Sequence, residues 1–373
     1  MSIEDQGTRC APAILALADG AIFQGFSIGY PGETVGEVVF NTAMTGYQEV
    51  LTDPSYSEQI VTFTYPHIGN TGINPDDWES DRVHAAGMII RELSPFVSHW
   101  QATESLSDYL KRQKVVAIAG IDTRRLTHIL RQKGAQAGCI MAGAESARKQ
   151  NDAHAKASQW IGLSNKDLAI KVTRSTSSRG AGRGIQIVLY DFGVKQNIIR
   201  VLEKLDYSIT IVPAKTSVEA VLKLNPAGIV LSNGPGDPAA CSYAIENAKI
   251  LIQKKVPIFG ICLGFQILAL ALGAKTKKMK FGHHGTNHPV KECATARVLI
   301  TSQNHGFCVD EKTLPKDVEI THVSLFDGTL QGFKHTTLPV MAFQGHPEAG
   351  PGPNDAMGLF DEFTKMVMSN GSA

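Results

Sequence analysis

VPIFGICLGFQILALALGA, residues 256–274, decides the fold of the C-terminal half. VPIFGI is a short unbroken apolar run, the pattern of a strand buried on both faces, and FQILALALG has the length and apolarity of a buried helix. Between them stands Gly260-Ile261-Cys262-Leu263-Gly264, that is G-x-C-x-G at a strand-to-helix turn. The flanking glycines allow a tight turn that presents the side chain between them, as the G-x-S-x-G elbow presents a hydroxyl. A thiol at a helix N-terminus meets the positive end of the dipole and unpaired N–H groups, which favour thiolate. Cys262 is therefore the candidate nucleophile. Taken alone, the pattern also fits a buried structural cysteine, the commoner fate of an isolated thiol.

Upstream of the turn, apolar runs alternate with amphipathic ones: IQIVLYDF (185–192), KQNIIRVLEKL (195–205), SITIVPA (208–214), SVEAVLKL (217–224), AGIVLSN (227–233) and YAIENAKILIQKK (243–255). Strands separated by such helices make a mostly parallel sheet with crossover helices on both faces, so residues 185–373 are expected to form a doubly wound α/β domain. Ligands of such sheets bind beyond the carboxyl ends of the strands. Three loops qualify: SNGPGDP (232–238), GICLGFQ (260–266) and GHPE (345–348), which follows the strand VMAFQ. A thiolate needs a base, and His346 could take its proton with Glu348 orienting the ring; an ordinary polar turn is the other reading of His-Pro-Glu. The N–H of Leu263 and that of Gly234 are the candidate oxyanion donors, against the plain alternative of a Gly/Pro turn.

The N-terminal half has a different texture. AILALADGAIFQG, GEVVFNTAMTG and EQIVTFTYP read as strands, a helix is expected over HWQATESLSDYLKRQ (99–113), and Asp122 should cap another with Leu126, Ile129 and Leu130 on its apolar side. Residues 1–145 thus form a β-rich α+β domain. RSTSSRGAGRG (174–184) has nothing to bury, and residues 146–184 are read as a connecting segment.

Composition narrows the function. Lys and Arg total 36 against 35 Asp and Glu, so no net field draws the chain to nucleic acid or an anionic membrane. The acidic start, MSIEDQGTRC, and the lack of a long apolar run argue against a secretory leader or membrane span and for the cytoplasm. Cys10, Cys139, Cys241, Cys262, Cys293 and Cys308 include no C-x-x-C pair, against a zinc knuckle or disulfide framework. GHHGTNHP (282–289) has no Cys or carboxylate at ligand spacing, so a loop without metal is expected, and GPG lacks the Lys-Ser/Thr of a P-loop, so ATP is not expected to bind this chain.

SNGPGDP, GICLGFQ and GHPE, in that order, resemble the three signatures of class I glutamine amidotransferase domains, which implies a flavodoxin-like sheet and a Cys262, His346, Glu348 triad. FNTAMTGYQEVLTDPSYSEQIVTFTYPHIGNTG (40–72) and GIDTRRLTHILRQKG (120–134) are similar to the N-terminal domain of carbamoyl phosphate synthetase small subunits. This resemblance implies that glutamine is held by Gly234, Gly236, Leu263, Gln266, Asn304, Gly306 and Phe307. Ala43 stands where some relatives place a serine that contacts glutamine, so position 43 is a candidate contact without the hydroxyl. It also implies that the partner is a large subunit, which uses ATP, Mg and bicarbonate while this chain needs no cofactor, and it allows a higher oligomer of heterodimers. The rival functions are a hydrolase or cysteine peptidase using the same elbow, a catalytically dead scaffold, and a glutaminase for a synthase such as those making anthranilate or guanylate.

Overall fold

Alternate residues of the first strands pack to opposite sides, and that alternation builds the N-terminal unit. The computed structural model describes residues 11–371, which leaves Cys10 and the acidic start outside the described residues. Seven strands close into a barrel in the order Pro12–Leu17, Ile22–Ser27, Val116–Ala119, Gly87–Ile89, Gln59–Phe63, Gly32–Asn41 and Gln136–Ala142, the last pairing back onto the first. Leu15, Val38, Ile60, Ile89, Ile118 and Ile140 share one apolar core with Leu126 and Leu130 of the helix Thr123–Lys133. Ile14, Ala16, Cys139 and Met141, on the other side of two of the same strands, pack with Ala153 and Ala157 of the helix Gln150–Gln159. Closure leaves the barrel no unpaired edge. Asp122 caps the helix Thr123–Lys133 as expected, its side chain accepting from Arg125 N. The expected 99–113 helix shortens to Leu106–Arg112, because Ser105 caps it by accepting from Asp108 N.

The second unit carries a ten-stranded sheet. Its five central strands, Ser208–Pro213, Gln186–Asp191, Gly228–Leu231, Ile258–Ile261 and Val340–Phe343, are parallel neighbours in that order. One apolar layer joins Val188, Ile229 and Ile258 to the helices Ser242–Gln253 and Leu263–Ala271. Residues one place along the strands, Ile187, Val230 and Phe259, face the opposite layer, with the helices Gln196–Lys204 and Gly358–Gly371. This is the doubly wound α/β arrangement. Beyond Val340–Phe343 the sheet continues antiparallel through Leu330–His335, Val318–Ser324, Lys275–Glu292 and Val298–Asp310. The histidine-rich stretch 282–289, read as a loop, instead lies within the 18-residue strand Lys275–Glu292, whose register shifts twice against its partner.

Contacts divide the chain at Gly162/Leu163, and not within the Ser/Gly/Arg stretch. The helix Gln150–Gln159 belongs to the first unit, whereas Ser178–Arg179 pairs with Ser208–Pro213 in the second. Two short pieces from early in the sequence, Thr52–Ser57 and Trp78–Asp81, also belong to the second unit.

Candidate active site

The strand Ile258–Ile261 runs directly into the helix Leu263–Ala271, and Cys262 is the single residue of the turn. Its backbone lies at φ 52°, ψ −100°, a conformation that L side chains rarely adopt. The turn holds because the backbone is tied on both sides: Cys262 N donates to Phe343 O over 2.9 Å and Gly264 N to Ser232 O over 3.1 Å. Gly264 has no alternative, since a Cβ there would stand 2.1 Å from Leu231 O. Strain kept by surrounding structure at such a position is a pointer to function. Cys262 is buried, and its Sγ donates to Asn304 O at 3.5 Å.

The neighbouring strand Val340–Phe343 ends level with Ile261 and leads to His346 and Glu348, both buried. His346 N donates to Ser302 O over 2.9 Å. Nδ1 of His346 and Oε1 of Glu348 are 2.7 Å apart, while Nε2 of His346 has no hydrogen-bond partner. Burial disfavours the imidazolium, but Glu348 and Cys262 outweigh it and raise the His346 pKa. Burial likewise disfavours the Glu348 carboxylate, yet Lys195 and His346 hold its pKa below the ordinary range. Cys262 is thus close enough to His346 to act on it electrically, although the bond from Sγ goes to Asn304.

Behind the imidazole lies a buried charge cluster that sequence reasoning missed. Lys195 Nζ donates to Glu348 Oε1 over 3.1 Å and to Ala349 O. Burial opposes its charge, but Glu348, Glu79 and Asp53 raise its pKa well above the ordinary lysine value. Only the position of Lys195, at the start of the helix that follows an apolar strand, could have signalled it.

Most of the remaining candidates make contacts around this centre. Leu263 follows the cysteine, and a Cβ on Gly234 would lie 2.8 Å from a Leu263 methyl and 2.3 Å from Phe192 O, so the 232–238 loop meets the elbow at a point that only glycine permits. Gln266, one turn into the helix, donates through Nε2 to Phe307 O at 2.9 Å and to Gln344 Oε1 at 3.0 Å. Asn304 offers Oδ1 to His284 Nδ1 at 2.8 Å and donates through Nδ2 to Asp53 Oδ2, also at 2.8 Å. Gly306 and Phe307 follow in the same strand, with Lys278 Nζ 5.1 Å from the Phe307 ring centre. Gly236, in the 232–238 loop, has φ 94°, and a Cβ there would meet Lys166 O at 2.6 Å. Ala43 is buried in the first unit, where its N–H donates to Asn41 Oδ1 over 2.7 Å.

His283, His288 and His305 crowd together, with ring centres of both neighbours 5.0 Å from that of His283. Burial lowers the pKa of His305 and that of His288, to about 3 for the latter, so both are neutral. Among the described residues no group of three or more His, Cys, Asp or Glu is placed to hold a metal ion, and no helix is long and apolar enough to cross a membrane.

The sequence matches the family "Carbamoyl-phosphate synthase small chain, CPSase domain" over residues 15–140 and the family "Glutamine amidotransferase class-I" over residues 188–366. It is 57% identical over 375 residues to the carbamoyl phosphate synthase small chain of Thioalkalivibrio sulfidiphilus, covering 96% of this chain and 98% of that protein. The chain belongs to the carbamoyl phosphate synthase small chain family. The small chain of Ralstonia nicotianae is 58% identical over 367 residues, covering 95% of this chain and 96% of its own length. That of Pseudomonas aeruginosa is 56% identical over 371 residues, with coverages of 94% and 97%. As a carbamoyl phosphate synthase small chain with a glutamine amidotransferase domain, it is an enzyme subunit, which sets aside the free-standing peptidase and the anthranilate or guanylate alternatives.

Proposed function

We propose that the chain hydrolyses L-glutamine at Cys262 and hands the ammonia to a carbamoyl phosphate synthase large subunit. The observation that carries this reading is the buried Cys262 thiol on a strained elbow beside a His346–Glu348 pair whose Nε2 has no other partner. The S–H turns from Asn304 O to Nε2 of His346, which takes its proton as Sγ attacks the side-chain amide carbon. The oxyanion falls to main-chain N–H groups of Leu263 and Gly234. His346 then gives the proton to the departing nitrogen, ammonia leaves, and a glutamyl thioester remains. Water, deprotonated by the same imidazole, cleaves it to glutamate and restores the thiol. Glutamine would rest among Gly234, Gly236, Gln266, Asn304, Gly306 and Phe307, with Gln266 releasing one of its present bonds.

The large subunit would use ATP, Mg and bicarbonate with this ammonia to make carbamoyl phosphate for arginine and pyrimidine synthesis, and the two chains would form a heterodimer. The test is a complex of both chains in which Cys262 is replaced by serine. Glutamine-dependent synthesis should vanish while synthesis from added ammonia persists, and glutamine-dependent turnover in that variant would refute the proposal.

A further inference from the structure

Helix Gln196–Lys204 begins beside the charge cluster with no side chain of its own at its N-terminus: Lys195, the N-cap residue, makes no capping bond. The first free N–H groups of a helix need acceptors when buried. They are found 118 residues away in sequence, on Glu79, whose Oε2 accepts from Asn197 N and whose main-chain O accepts from Gln196 N, both over 2.9 Å. Glu79 is itself fixed, its N–H donating to Thr52 Oγ1 over 3.0 Å.

The capped turn leads straight to the candidate catalytic loop. Lys195 Nζ holds Glu348 Oε1 and Ala349 O, and Asn197 Nδ2 donates to Glu348 O. Glu79 also meets that loop, because a Cβ on Gly350 would lie 2.1 Å from Glu79 Oε1. One buried carboxyl therefore wedges between the turn that grips Glu348 and the loop that carries it.

We propose that Glu79 is a positioning residue of the glutamine-hydrolysing site, acting through the Lys195–Asn197 turn to fix Glu348 and hence the His346 ring. The inference rests on the reading of the site given above. Glu79 is buried, and its two side-chain oxygens face Asn197 N and Gly350. A catalytic array displaced by a fraction of an ångström loses rate in the chemical step and not in binding, and a shift of about 1 Å can cost about a hundredfold.

The experiment compares wild type, Glu79→Ala and Glu79→Gln, each in complex with the large subunit, by glutamate released from glutamine and by alkylation of Cys262 with iodoacetamide, resolved by peptide mass. Glu79→Ala should lower kcat by about ten- to a hundredfold, with KM within about threefold, and should slow alkylation at neutral pH. Glu79→Gln keeps an acceptor for Asn197 N and should recover most of that loss. A folded Ala variant with wild-type kcat and alkylation rate, or one whose loss lies in KM alone, overturns the proposal. If the Ala variant does not fold, Asn197→Ala decides: it removes the bond to Glu348 O, and wild-type kcat there overturns the proposed relay. A wild-type complex that releases no glutamate defeats the glutaminase reading instead, and alkylation then tests Glu79 by itself.

Discussion

Nδ1 of His346 lies 2.7 Å from Oε1 of Glu348, and with Nδ1 engaged there Nε2 is the nitrogen left for the proposed base. With one proton held on Nδ1, the position left to take the thiol proton is Nε2, the nitrogen without another partner, and the raised pKa of His346 favours that transfer. Replacing His346 by Asn should abolish glutamate release to within the background of the assay. Glu348→Ala should retain a residue of activity, on the order of a thousandth, because the base survives in a less controlled tautomer. Steady-state kinetics on both variants checks this, and equal, mild losses would mean that another group is the base.

The backbone at Cys262 makes a second expectation unusual. A non-glycine residue held at positive φ costs about 1–3 kcal/mol, so Cys262→Gly should be more stable than wild type by about 1 kcal/mol, less whatever the lost side-chain packing contributes. It should be inert toward glutamine. Thermal melting of the purified chain reads the first outcome; a variant less stable than Cys262→Ala would show that the elbow is not strained.

At Gly264 the reverse holds. A methyl group would stand 2.1 Å from Leu231 O, so Gly264→Ala must shift either the strand end or the helix start. Displacement of the nucleophile should cut kcat by about a hundredfold or more, together with a lowered Tm. A fully active Gly264→Ala protein would place the elbow backbone elsewhere.

Lys195 is buried with its charge satisfied by Glu348, and breaking such a pair from one side costs about 3–5 kcal/mol. Lys195→Met should therefore destabilise the fold by that amount at neutral pH, as read from denaturant midpoints. The double variant Lys195→Met with Glu348→Gln, which removes both charges of this pair, should regain part of the loss.

Glu79 gives the pH dependence. Burial, chiefly, pushes its pKa up from 4.5 to about 7, against the pull of Lys195 and the Asn197 N–H and with help from Glu348 and Asp53. A raised folded-state value means that its contribution is fully present below pH 4.5 and fades as pH rises through about 7. Glu79→Gln lacks that titration. Its stability relative to wild type should thus improve steadily from pH 4.5 to 8, and a pH-independent difference would rule this out.

The parallel half of the sheet and the elbow were legible because they are local: an apolar run, a Gly-flanked cysteine and an apolar helix are contiguous. His346 and Glu348 were legible for the same reason, lying two residues apart after a strand. Lys195, Glu79 and Asp53 were not, since each looks like an ordinary surface charge until distant segments bury it. The strand Lys275–Glu292 was missed because its glycines and histidines break the period-two pattern where the register shifts. The helical 150–159 stretch gave too little apolar contrast to show which unit it joins; its buried face is only Ala153 and Ala157.

The fragments Thr52–Ser57 and Trp78–Asp81 change what can be cut and pasted. A gene fragment starting at Leu163 would encode every recognisable signature of the amidotransferase and still lack Asp53, Ser55 and Glu79, which bond to Asn304, Asn233 and Asn197. Recombination at the apparent seam would thus deliver a cassette with its footings left behind. Ancestral shuffling of this domain into new enzymes would have had to reinvent those footings each time, or carry the early loops along.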